Sequence, residues 1–118
     1  MVDRRKLGKR SRIKGRAFQA EVAKRWRDAG LYLDAASTQG AQVRSKRNIG
    51  NTPPDIEGTP YWVECFHGKR PNPIGKLKQA EEEAERAEDP RAAVAIIRLH
   101  GESEPFAIMR LATLEQLL

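Results

Sequence analysis

The sequence predicts an α/β sandwich built on one mixed β-sheet. Three observations predict it. Residues 92–99 form a near-continuous apolar run of strand length, as expected for a strand covered on both faces. Residues 61–66, Tyr-Trp-Val-Glu-Cys-Phe, are the best strand in the chain, aromatic and β-branched. Between them, residues 74–88 read as a helix that Asp89-Pro90 ends. A chain of 118 residues makes one small domain with a single core.

The elements follow in order. Residues 1–14 read as a basic flexible arm ahead of a single domain over 15–118. Residues 1–16 carry eight Arg and Lys against the one acid Asp3, and such a run repels itself. Residues 16–29 read as a helix, with Ala17, Phe18, Val22, Ala23 and Trp26 near helical spacing and Gly30 as its stop. Leu31-Tyr32-Leu33-Asp34-Ala35-Ala36 reads as a short strand. A polar loop over 37–54 holds Arg44, Lys46 and Arg47, and loops of this length in compact domains are commonly functional. Asp55 to Glu57 begins a strand, Gly58-Thr59-Pro60 turns the chain, and residues 61–66 return. The acids Glu81, Glu82, Glu83, Glu85 and Glu88 in the second helix read as a solvated outer face. Residues 101–105 turn the chain, 106–109 form a last strand, and Thr113 is the expected N-cap of a terminal helix.

Charge narrows the partner. The formal net charge is +6 and the isoelectric point about 9.8, which favours a polyanion, with nucleic acid the default. An acidic membrane surface, or solubility alone, is the blander reading of the same balance. Cys65 is the single cysteine, so no intramolecular disulfide forms and a reducing, cytoplasmic setting is expected. No apolar run reaches the length of a membrane span, so no membrane partner is expected, and no apolar stretch follows the basic N-terminus as in a secretory signal.

The chemistry concentrates between Pro54 and Phe66. Alternation along a strand points Tyr61, Val63 and Cys65 one way and Trp62, Glu64 and Phe66 the other. Asp55 lies across the turn from Glu64, and a short hairpin brings the two carboxylates together. Two carboxylates, a backbone carbonyl and waters suffice for Mg²⁺. The bland alternative is a turn aspartate and an exposed glutamate. Against it, Glu64 sits inside an otherwise apolar strand, where a charge needs a partner, and Pro54 biases the preceding backbone toward an extended form.

Pro54-Asp55, eight residues, then Glu64-Cys65-Phe66 resembles the PD-(D/E)xK nucleases of the restriction-endonuclease-like fold. Within them the chain looks most like the Holliday junction resolvases of archaea and their phage-encoded relatives. Lys14-Gly15 leading into the first helix, Pro54-Asp55, Val63-Glu64 and the following helix keep that order, over about residues 14–110. The resemblance implies a central mixed sheet flanked by helices. It also implies a homodimer that binds four-way DNA junctions and nicks two strands with Mg²⁺, or with Mn²⁺ as substitute. Carried over, Asp55, Glu64 and the backbone carbonyl of Cys65 are the metal ligands. The family's lysine position holds Phe66, and Lys69 is the candidate replacement. The family's first-helix glutamate falls at Gln19, with Glu21 as a second candidate. Gln79 matches an accessory glutamine, but the tyrosine that often follows it is Glu83 here.

Phosphate-gripping candidates are Arg10, Arg12, Lys14, Arg16, Arg44, Lys46, Arg47, Lys69 and Arg70, which supply affinity and register. Ser37, Thr38, Gln39 and His67 are weaker candidates. Met109, Leu114 and Leu117 are a guess at the dimer surface. Phe66 and Gln19 leave a rival open, a junction-binding protein that does not cut. A restriction or repair nuclease of the same fold is a second rival, and an RNA-associated basic protein a third.

Overall fold

The computed structural model describes residues 4–38 and 53–118, with residues 4–14 described as helical backbone. The elements run α1 (Arg4–Asp28), β1 (Ala36–Ser37), β2 (Ile56–Glu57), β3 (Tyr61–Gly68), α2 (Pro73–Arg86), β4 (Ala92–Leu99), β5 (Phe106–Ile108) and α3 (Leu111–Leu117). This is the expected order of elements. The five strands form one sheet in the order β1-β2-β3-β4-β5. The β3–β4 pair is parallel and every other pair antiparallel, so the sheet is mixed.

Both central strands bury their two faces, as their apolar runs require. On one face, Val63, Cys65, Val94 and Ile96 pack with Ile56 and Ala35 against Phe18, Val22 and Ala23 of α1. On the other, Trp62, Ala93, Ala95 and Ile97 meet Leu77, Ala80 and Ala84 of α2. The connection β3–α2–β4 therefore crosses one face while α1 covers the opposite one. Among the described residues no helix is long and apolar enough to cross a membrane.

Local chemistry sets the helix ends. Asn72 caps α2 by accepting from the Gly75 N–H at 3.1 Å, and Pro73 opens the helix, where its missing N–H costs nothing. α1 closes at Gly30, whose φ of +72° is left-handed, with the Leu31 N–H donating to Trp26 O across the last turn.

Several expectations need correction. α1 begins at Arg4, inside the segment read as a flexible arm, so the end of that arm coincides with no end of secondary structure. Residues 31–35 are turn rather than strand, because the chain is still leaving the helix cap there, and pairing starts at Ala36. Leu31 and Leu33 are exposed. Thr113 is not the N-cap of α3. Arg110 holds that place in extended backbone, and Thr113 is buried one turn inside. In α1, Ala17 faces solvent and Gln19 takes the buried place, in step with Val22, Ala23 and Trp26.

The β2–β3 turn is fixed by shape. Gly58 has a φ of +84°, and a Cβ there would stand 2.1 Å from the carbonyl oxygen of Asp34. Arg91 braces the same corner, bonding Asp89, Glu57 and the Thr59 carbonyl, with its guanidinium 5.7 Å from the Trp62 ring. Replacing Gly58 with alanine combines left-handed strain with a backbone clash. Gly58→Ala is expected to lower unfolding free energy by about 2–4 kcal/mol in urea titration; a loss below about 0.5 kcal/mol would contradict this account of the turn.

Candidate acid site

Asp55 is held by β3 twice. Its backbone N–H donates to Val63 O at 2.8 Å, and its Oδ2 accepts from the Cys65 N–H at 2.8 Å. β2 is two residues long, so beyond Ile56 the Asp55 side chain replaces a backbone partner in the ladder. Pro54 is fully buried beside it, and its carbonyl accepts from the Thr38 hydroxyl at 2.7 Å. The Thr38 N–H donates to Asp55 O at 3.0 Å, which ties the start of β2 to the end of β1. In a strand, one residue's N–H and C=O leave from the same edge. The Cys65 carbonyl therefore projects on the side where Asp55 sits, while its thiol packs into the α1-side core.

Glu64 is buried at 7% exposure on the α2 face, with Trp62 and Phe66 on the same side of the strand. The Trp62 indole N–H donates to Glu64 Oε1 at 3.0 Å. Burial is the first cause that raises the Glu64 pKa above its ordinary 4.5, and Glu83 and Asp55 raise it further through hydrogen bonding and charge. Burial also raises Asp55, against the lowering effect of the Cys65 N–H and Glu64. Burial, followed by the charges of Asp55 and Glu64, pushes the Cys65 thiol up, which keeps it protonated.

Asp55, Glu64 and Glu83 thus form one patch of crowded carboxyls. Glu83 corrects the reading of the α2 acids as a purely solvated face. It is half-buried and accepts from Gln79 Nε2 at 3.4 Å. Glu81 departs as well, pairing with Arg110 at the start of α3. The signal for Glu83 was present in the sequence, since it lies one residue from Ala84 in the buried stripe of Leu77, Ala80 and Ala84.

The donor set suits a hard divalent cation. Asp55 and Glu64 each accept an N–H at one carboxyl oxygen and also bond each other, so a cation would enter by replacing the contact between the two carboxyls. Among the described residues no group of three or more His, Cys, Asp or Glu side chains is arranged to hold a metal. The fit therefore rests on two carboxylates with the Cys65 carbonyl, the composition Mg²⁺ accepts when waters complete its shell.

The other candidates fall in separate places. Gln19 is buried at 3% exposure and accepts from the Ser37 hydroxyl at 3.1 Å, which brings it to β1 beside the start of β2. Glu21 is exposed and ion-paired with Arg98 of β4, whose guanidinium lies 4.8 Å from the Phe18 ring. Gln19 rather than Glu21 therefore reaches the β1–β2 end of the sheet. Phe66 is half-buried, and Lys76 Nζ stands 4.1 Å from its ring centroid. Lys69 and Arg70 are exposed just after β3, and Arg16 is exposed on α1. The His67 ring lies 5.7 Å from Phe18 on the α1 side. Arg44, Lys46, Arg47 and Gln39, and the side chains of Arg10, Arg12 and Lys14, lie outside the described residues. Leu114 and Leu117 are exposed on α3, whereas Met109 packs against the core.

Comparison with protein-family models, with curated proteins and with solved structures found no match in any of the three.

The raised carboxyls fix a pH dependence. Below the ordinary Glu64 value of 4.5, folded and unfolded chains both hold its proton, and the site carries no penalty. Above that value the unfolded chain ionises while the folded site resists, so metal-free stability falls as pH rises toward the raised folded value. Gln at 64 keeps an acceptor for Trp62 and cannot ionise. Glu64→Gln is expected to gain about 1–3 kcal/mol over the parent at pH 7.5 and nearly nothing at pH 4, measured by denaturant unfolding in EDTA. An equal gain at both pH values would show that ionisation is not the source.

Proposed function

We propose that this chain is a Mg²⁺-dependent endodeoxyribonuclease of the restriction-endonuclease-like fold that resolves four-way DNA junctions as a homodimer. The observation that carries the reading is the convergence of Asp55, at the start of β2, and Glu64, on β3, where each carboxyl is held by an N–H donor and the two meet. The mixed sheet with helices on both faces is compatible with that fold. The basic balance of the chain suits a phosphate-rich partner.

Asp55, Glu64 and the Cys65 carbonyl would hold the metal. When bound, Mg²⁺ would supply a water of lowered pKa and offset charge growing on the phosphate. The chain's own residues do the rest. The Cys65 N–H orients Asp55, the Trp62 indole orients Glu64, and the β3–α2 layer excludes bulk water from the Glu64 side. Exposed Lys69 and Arg70 at the end of β3 would grip backbone phosphates. Paired nicking would follow from two-fold symmetry, since a two-fold protein matches a two-fold junction.

Phe66 favours a second reading. An aromatic ring two residues after Glu64 can neither donate a proton nor balance phosphate charge, and Gln19 is neutral. A protein that holds junctions without cutting them fits those two residues.

The test is cleavage of a synthetic four-way junction in Mg²⁺ by the parent and by Asp55→Asn, which keeps an acceptor for the Cys65 N–H. Paired symmetric nicks by the parent, reduced about 10²-fold or more in the variant, are expected. Tight junction binding in EDTA with no cleavage in Mg²⁺ or Mn²⁺ would establish the second reading. Equal cutting of linear duplex would mark a nuclease without junction selectivity.

A further inference from the structure

Among the described residues, some cations are ion-paired and others are not. Lys24, Arg25, Arg91, Arg98 and Arg110 each engage a carboxylate. Lys69, Arg70 and Lys76 make no ion pair among the described residues. These three line one open cleft of about 460 Å³, with Phe66 and Asn72 in its wall. Lys76 differs from the other two because it is half-buried and held in place. Its backbone N–H donates to Asn72 O at 2.9 Å in the first turn of α2, and its ammonium lies against the Phe66 ring. A cation over an aromatic face is attracted without being neutralised, so its hydrogen-bonding capacity remains for a ligand.

Position along the elements links this cation to the carboxylates. β3 and β4 are parallel, so α2 between them runs back along β3. Its later residue Glu83 accordingly meets Glu64, and its earlier residue Lys76 meets Phe66. Lys76 and Glu83 are seven residues apart, two turns on one helix face. Phe66 is two residues beyond Glu64 on one strand face, a rise of about 7 Å. One side of α2 therefore sets a fixed cation in line with a buried acid pair.

We propose that Lys76 contacts the DNA phosphate lying beside Asp55 and Glu64, with the Phe66 ring as the platform that aims its ammonium. This placement deepens the nuclease reading and rests on it for the identity of the strand. The contact itself requires only binding. A phosphate entering next to the acid pair meets repulsion from whichever carboxyl is ionised, and one positioned cation on the open side offsets it. Lys69 and Arg70 extend the same cleft along the strand.

The experiment measures junction affinity in EDTA at pH 8 for the parent, Lys76→Met, Lys76→Arg, Asp55→Asn and the Lys76→Met/Asp55→Asn double variant. Methionine keeps the hydrocarbon stem over Phe66, and thermal melting verifies that each variant folds. Lys76→Met is expected to reduce the slope of log affinity against log salt by about one, with Lys76→Arg keeping the parent slope. The Lys76 and Asp55 effects on Kd are expected to be non-additive by about two-fold or more, because both act on one phosphate. An unchanged slope in folded Lys76→Met overturns the contact. A reduced slope with additive Kd effects overturns its placement beside the acids. If the parent binds but never cuts, the nuclease reading fails while these two readouts still decide the role of Lys76.

Discussion

The structure of the acid site depends on the way Asp55 completes the edge of β3. A two-residue strand cannot pair the whole length of an eight-residue neighbour. Asp55 extends the pairing with both its main chain and its side chain. The carboxylate is thereby committed to one position before any ligand arrives. The Gly58 turn, the buried Pro54 and the Arg91 brace all serve to deliver Asp55 to that edge.

The arrangement has an electrostatic cost. Two central strands share a parallel ladder, and the parallel connection forces a helix over the face on which Glu64 points. Covering that face buries a carboxyl among Trp62, Phe66 and α2. A buried acid beside two others is tolerated by holding a proton or by gaining a counter-charge. That burial leaves the uncharged carboxyl the favoured form when no cation is present, so an ionised Glu64 would work against stability. Such opposition is usual where a site is arranged for binding rather than for folding.

The sequence carried much of the fold and part of the site. β4 was readable to the residue because its buried middle is an unbroken apolar run and polar residues, Arg91 and His100, flank it. β3 was readable as a strand but ran on through His67 and Gly68, since parallel pairing with Arg98 and Leu99 extends it where composition gives no cue. The short strand before the long loop was misplaced because Leu31 and Leu33 look like strand residues but remain exposed at the exit of a helix cap. Thr113 misled in the same way, as a residue with capping chemistry used for packing. Among site residues, alternation alone placed Glu64 and Phe66 on one face and Cys65 on the other. The buried stripe of α2 hinted at the half-burial of Glu83, but nothing local paired it with Glu64 or paired Lys76 with Phe66. Their neighbours come from the direction in which α2 returns along the sheet, a tertiary property that a local pattern does not encode.

The indole of Trp62 has one further consequence. It is fully buried, and its N–H is bonded to the carboxyl whose charge state the site controls. An indole's emission responds to the charge at its hydrogen-bonding edge, so the protein carries an optical reporter inside the acid cluster. Trp26, the other indole, lies half-buried on α1 across the sheet and supplies a reference in the same molecule. Proton release, cation entry and the approach of a phosphate would each change the field at Trp62, and a fluorometer can follow them in real time without any label.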